Sequence, residues 1–204
     1  MSTPPLSLGL FGGSFNPPHL AHLALARLAR DHLQLDELRW VPAGAPWQKP
    51  AGLLAPAEDR LAMVRLLVGQ EPGMTVDRRE LNRPGPSYTI DTVRELQAEF
   101  PGLKPWLIIG QDQYTRLDTW RDAAQLRVLV RFAVAARDGE TPRPPASWAG
   151  LSHDMQVLPL PRIDLSATRI RECVAAGQPV SPLVGDAVAR YIEQHRLYRV
   201  PPGH

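Results

Sequence analysis

A chain of 204 residues, 44% hydrophobic and 22% charged, has the length and composition of one well-cored globular unit. Its formal charge of +2 and pI near 9.0 are mildly basic, which suits anionic small molecules and makes no case for nucleic acid. No apolar run approaches the roughly 20 residues of a membrane span, the N-terminus lacks a secretion signal, and the single Cys173 excludes an internal disulfide framework or a cysteine zinc cluster. The expectation is a cytoplasmic protein with neither nucleic-acid nor membrane partners.

Apolar runs alternate with helix-patterned segments along the chain. Strands are predicted at 6–11, 37–42, 74–76, 106–109, 132–136 and 156–160. Helices are predicted at 19–33, 57–68, 87–99, 112–117, 123–129, 166–176 and 182–195. Gly177 reads as a C-cap, and Ser181-Pro182 as an N-cap with a first-turn proline. The proline-rich stretch 138–150 reads as a connection. The alternation predicts an α/β, doubly wound (Rossmann-like) parallel sheet in a single domain over 1–204, with 165–200 as a small helical C-terminal part. In such sheets ligands bind beyond the carboxyl ends of the strands. The unusual polar groups fall there: 12–22 after the first strand, Lys49 after the second, Gly110-Gln111-Asp112 after the fourth, Arg137 after the fifth and 164–171 after the last.

The first of these, Gly12-Gly13-Ser14-Phe15-Asn16-Pro17-Pro18-His19-Leu20-Ala21-His22, empties a strand through two glycines into a helix. Bare backbone N–H groups and the positive end of a helix dipole then meet at one point. Pro17 or Pro18 suits the first helical turn. His19 and His22, three apart, share a face of that turn and can donate to phosphate oxygens. A Gly-Gly step alone is most often only a tight turn. The segment is neither a Walker A loop nor G-x-G-x-x-G nor H-E-x-x-H, and no third protein ligand for zinc is evident, so no protein-held metal is expected. The whole string G-G-[ST]-F-x-P-x-H-x-x-H resembles the signature of the nucleotidyltransferase superfamily, which implies that Gly12, Gly13, Ser14, Phe15, His19 and His22 hold the phosphates of ATP.

A second element, Leu165-Ser166-Ala167-Thr168-Arg169-Ile170-Arg171, also follows a strand and opens a helix. Ser166 reads as an N-cap whose hydroxyl serves the helix or a phosphate oxygen. Taken alone, the heptamer is equally an ordinary cap followed by solvated arginines. S-[AST]-T-x-x-R near the C-terminus is similar to the partner signature of the same superfamily, which implies that Ser166, Thr168 and Arg171 grip the β- and γ-phosphates.

Two middle segments narrow the acceptor. Pro86-Ser87-Tyr88-Thr89-Ile90-Asp91-Thr92 opens a helix, and Ile108-Ile109-Gly110-Gln111-Asp112 is followed by Leu117-Asp118-Thr119-Trp120. Together with the closing Tyr191-Ile192 and Leu197-Tyr198, these resemble the bacterial nicotinate mononucleotide adenylyltransferase family over about 8–199. The resemblance implies ATP and nicotinate mononucleotide as substrates and deamido-NAD and pyrophosphate as products. It implies that Ser87, Tyr88, Thr89, Trp120 and Arg121 bind nicotinate mononucleotide. Gly110 and Asp112 would lie on the ATP side, Asp112 would also serve nicotinate mononucleotide by holding ribose hydroxyls, and Arg137 would pack near adenine and phosphates. Trp120 offers a flat face to a pyridinium, and helix N-termini near Thr89 and Arg121 favour a carboxylate.

Many family members carry Pro-His-Lys or Pro-His-Arg after the second strand, where this chain reads Pro46-Trp47-Gln48-Lys49-Pro50. Lys49 keeps the cation, Gln48 stands in place of the histidine, and Trp47 either caps the acceptor pocket or buries itself in the loop. The expected catalytic set is His19, His22, Lys49 and Arg171. Mg²⁺ is expected to ride on ATP, since no clustered carboxylates offer a cage. A related adenylyltransferase for nicotinamide mononucleotide or phosphopantetheine, or a non-catalytic nucleotide sensor, is the alternative. Oligomeric state stays open, a homo-oligomer included.

Overall fold

A computed structural model describes residues 7–47, 54–137, 140–161 and 163–199. Six strands, β1 (Leu8–Gly13), β2 (Glu37–Pro42), β3 (Met74–Val76), β4 (Trp106–Gly110), β5 (Arg131–Arg137) and β6 (Met155–Leu160), form one sheet in the order β3-β2-β1-β4-β5-β6. Every adjacent pair is parallel. Strand order therefore reverses direction between β1 and β4, and the crevice at their carboxyl ends is where a doubly wound sheet admits a ligand. The connecting helices are α1 (Leu20–His32), α2 (Ala57–Val68), α3 (Arg79–Asn82), α4 (Thr89–Glu99), α5 (Gln111–Tyr114), α6 (Ala123–Leu129), α7 (Ala167–Ala175), α8 (Ser181–Val184) and α9 (Asp186–Gln194).

Alternation along β1 sorts the core into two layers. Leu8 and Leu10 join Ile90, Val93 and Leu96 of α4 and Leu126 of α6 on one face. Phe11 joins Leu23, Ala26 and Ala29 of α1 and Met63 and Val64 of α2 on the other. Ile170, Val184, Val188 and Ile192 belong to that second cluster, so the C-terminal helices bury their apolar stripes against the same sheet face as α1 and α2.

Several expectations need correction, among them the cap at Ser181, which is instead the first residue of α8 behind an N-cap at Val180. The first strand continues through Gly12 and Gly13, which pair with Val41 and Pro42; glycine weakens a strand but does not end one whose ladder partner persists. Leu6 lies outside the described residues. The prolines precede rather than open α1, whose N-cap is His19. The predicted helix 112–117 is the single turn α5 followed by a 3-10 turn, Leu117–Thr119, which lets Tyr114 and Leu117 both become fully buried. The predicted helix 182–195 breaks at Gly185, whose φ of 82° stops α8 and restarts the chain as α9. The one-turn α3 carries no sequence pattern of its own; Asp77 Oδ1 accepts from the Arg79 N–H at 2.9 Å and starts it.

Candidate active site

Beyond Gly13 the chain turns through Ser14 and Phe15, and Phe15 takes a left-handed φ of 46°. A non-glycine residue there stores on the order of 1–3 kcal/mol of strain. Its ring is buried against Phe11 and Trp40, at 5.5 and 5.3 Å between centroids. A Cβ on Gly13 would stand 3.1 Å from that ring, a tight approach to which the ring would have to yield by a few tenths of an ångström.

His19 and His22 stack, with centroids 3.6 Å apart and planes 22° apart. His22 Nδ1 accepts from the His19 backbone N–H at 3.2 Å. A neutral His22 with Nδ1 accepting carries its proton on Nε2. His19 is 6% exposed, and its Nδ1 is buried with no partner among the described residues. Leaving such an atom unpaired costs roughly 1–3 kcal/mol, which a ligand oxygen would relieve.

Burial pulls the His19 pKa down from 6.5 to about 4. The unfolded chain takes up a proton on His19 below 6.5, whereas the folded protein resists it down to about 4. Stability linked to neutral His19 is therefore present above the upper value and lost as pH falls through this window, by on the order of 3 kcal/mol. Urea unfolding at pH 7 and pH 4.5 should show the loss, and His19→Gln should flatten that part of the pH profile.

The second motif meets the first. Ser166 caps α7, its Oγ accepting from the Arg169 N–H at 3.3 Å. Arg171 Nη2 donates to Thr168 Oγ1 at 3.1 Å, and its Nη1 reaches 155 residues back to the Asn16 carbonyl at 2.8 Å. Asn16 is 2% exposed. Its Oδ1 also accepts from the Ala55 N–H at 3.0 Å and the Tyr198 hydroxyl at 2.9 Å. Tyr198 itself holds a left-handed φ of 62°. Burial raises its pKa far above the ordinary phenol value, so it stays a donor.

On the acceptor side, Ser87 is buried and fastens the loop after β2. Its N–H donates to the Ala45 carbonyl at 2.9 Å, and its Oγ accepts from the Ala45 N–H at 3.2 Å. Tyr88 is the N-cap of α4 and Thr89 its first residue, two residues later than the predicted start. The Arg121 guanidinium lies over the Tyr88 ring, 4.7 Å from its centroid, and the Trp47 ring stands 6.3 Å from it. Trp47 remains 42% exposed. Arg121 precedes α6 and does not open it; Asp122 is the N-cap. Trp120 packs partly buried against the α4 face of the core, with Nε1 buried and unpartnered among the described residues.

Gly110 ends β4 with open space where a side chain would lie, and exposed Asp112 follows it in α5. Arg137 closes β5 opposite Leu160, its side chain lying outside what the structure describes. Lys49 and Gln48 lie outside the described residues. A cavity of about 770 Å³ among α7, α8 and α9 shares none of the expected site residues. Asn16, Tyr198 and buried Arg60 are the structural participants to which sequence reasoning gave no role. Asn16 and Tyr198 stood inside motif strings; Arg60 carried no signal.

The profile of the family described as Cytidylyltransferase-like matches residues 10–173. The chain is 48% identical to the probable nicotinate-nucleotide adenylyltransferase of Methylibium petroleiphilum, over 99% of this chain and 97% of that protein. It is 42% identical to the protein of the same name from Chromobacterium violaceum, over 94% and 98%. Among solved structures, the Plasmodium falciparum nicotinic acid mononucleotide adenylyltransferase complexed with NaAD shares the fold, with a TM-score of 0.77 at 15% identity over 94% of this chain and 97% of that one. With full-length relatives at this identity and the matching fold, the chain belongs to the nicotinate-nucleotide adenylyltransferase family.

Proposed function

We propose that this chain, acting as one nucleotidyltransferase domain, transfers the adenylyl group of ATP to nicotinate mononucleotide, giving deamido-NAD and pyrophosphate for NAD biosynthesis. The observation that carries this reading is the 2.8 Å hydrogen bond from Arg171 to Asn16, which draws two phosphate motifs from opposite ends of the chain to one crevice. A 5′-phosphate oxygen of nicotinate mononucleotide attacks the α-phosphorus of ATP. The bond to the bridging oxygen breaks, and pyrophosphate leaves with the electron pair. The nucleophile is already an anion, so no covalent enzyme intermediate and no proton abstraction are required. Catalysis then reduces to positioning and to stabilising charge on the leaving group.

In this scheme His22 Nε2–H and His19 donate to phosphate oxygens, the backbone of 12–15 lines their path, and Ser166, Thr168, Arg171 and Lys49 neutralise the pyrophosphate. Gly110 lets the nucleotide approach the end of β4, where Asp112 takes ribose hydroxyls, and Arg137 attends the adenine and phosphates. Among the described residues no group of three or more His, Cys, Asp and Glu could hold a metal ion. Mg²⁺ is read as part of the ATP substrate, where it offsets phosphate charge.

Ser87, Tyr88, Thr89, Trp120 and Arg121 form the acceptor side. A carboxylate gains charge-assisted hydrogen bonds there that a neutral carboxamide lacks, worth roughly 1.5–3 kcal/mol. We expect nicotinate mononucleotide to exceed nicotinamide mononucleotide by about 10- to 100-fold in kcat/KM. Pyrophosphate release with ATP, Mg²⁺ and each acceptor measures this. Equal rates would sink the acceptor assignment, and no release with either would sink the transfer itself. No helix among the described residues is long and apolar enough to cross a membrane.

A further inference from the structure

Arg60 stands in α2 and is 1% exposed. Its guanidinium donates to main-chain carbonyls of three separate segments: Nε to Ala55 at 3.0 Å, Nη1 to Ser14 at 2.8 Å and Nη2 to Gly44 at 3.1 Å. Among the described residues no carboxylate pairs with it; Tyr198 is the one neighbouring titratable group that acts on it. Burial lowers its pKa, yet a guanidinium stays charged at neutral pH. A buried charge with no counter-ion is expensive. The planar fork of donors is what an apolar side chain of equal size could not supply.

Across a planar trans peptide, the carbonyl and the next N–H point opposite ways. Holding the Ser14 carbonyl on Arg60 turns the Phe15 N–H away from α2, which fixes the strained turn of the phosphate loop. Holding the Gly44 carbonyl likewise turns the Ala45 N–H to the far side, where it donates to Ser87 Oγ. Gly44 is itself clamped: a Cβ there would stand 2.3 Å from the Glu80 carbonyl oxygen. Ser87 directly precedes Tyr88 and Thr89 at the start of α4. One side chain thus sets a peptide plane on the nucleotide loop and another on the acceptor loop.

We propose that Arg60 is a positioning residue that holds the nucleotide half and the acceptor half of the site in register, so that the attacking oxygen lines up with the leaving group. This role rests on the adenylyl-transfer reading above. It predicts an unusual kinetic signature, because each half still binds its own substrate when the register slips. Misplacement by about 1 Å can cost 10²-fold in rate.

The test is Arg60→Lys, which keeps the charge and loses the fork. The folded variant, checked by far-UV circular dichroism, should lose at least tenfold in kcat with both KM values within about threefold of wild type. Ser87→Ala cuts the same linkage at its far end and should also lower kcat. The double variant should lose less than the product of the two single losses, because both act through one chain of contacts. Should Arg60→Lys fail to fold, Arg60→Gln, which keeps an amide donor and loses the fork, decides by the same split of kcat against KM. Wild-type kcat in either folded variant, a loss confined to KM, or multiplicative losses in the double variant would overturn the role. Wild-type turnover tests the adenylyl-transfer reading separately; the ratio of variant to wild type tests Arg60.

Discussion

His19→Ala should lower turnover by about 10²–10³, the usual effect of losing one preorganised donor to developing charge. Burial holds His19 neutral far below pH 7, so in the proposed transfer its part at neutral pH is that of an oriented hydrogen-bond donor and not of a fixed cation. Its ring is held by the stack on His22, and His22 is held in turn by its bond from the His19 backbone N–H. That backbone bond survives substitution by alanine, so His22 and the start of α1 should stay in place. The loss then belongs to the missing imidazole. Steady-state kcat at saturating ATP, with circular dichroism as the fold check, measures it. Activity near wild type would remove His19 from the reaction. A phosphate oxygen beside the ring would also raise the His19 pKa, since an adjacent anion favours the imidazolium. ATP binding near pH 5.5 should therefore take up protons in wild type and fewer in the variant, which calorimetry in buffers of different ionisation enthalpy would show.

The strands and the two phosphate motifs were legible because their signals are local. β2, α2, β3 and α6 fall at the predicted bounds, each being an apolar-patterned segment marked on at least one side by Gly, Pro or Asp. The misplaced helix ends are decided by remote partners. The start of α4 is delayed because Ser87 is taken into an extended bridge with the loop after β2. Both histidines, Ser166 and Arg171 were readable as donors at strand-to-helix turns. That Arg171 would spend one nitrogen on the Asn16 carbonyl was not readable, because the partner lies 155 residues away. Arg60 was invisible for a sharper reason. An arginine in a helix of mixed polarity reads as part of a solvated face, and its burial is decided by carbonyls from 14, 44 and 55, whose orientations no side-chain pattern encodes.

Arg171→Ala should cost about 10²–10³ in kcat/KM, because in the proposed transfer the guanidinium serves the leaving group as a charge besides bracing the crevice through Asn16. The two contributions separate. In the variant Asn16 keeps its side-chain bonds from the Ala55 N–H and the Tyr198 hydroxyl, so Asn16 retains two of its three ties described above. Loss of the brace alone should lower stability by only about 1–3 kcal/mol, the range for an unmet hydrogen bond to a buried group. Arg171→Lys keeps the charge but cannot donate to Asn16 and Thr168 from one planar fork. It should recover part of the lost kcat/KM and little of the lost stability. The measurements are initial rates of pyrophosphate release across ATP concentrations and urea unfolding of both variants. If Arg171→Ala loses stability while kcat/KM stays within threefold of wild type, Arg171 is a brace alone. Leaving-group charge must then be met by the other residues at the strand ends.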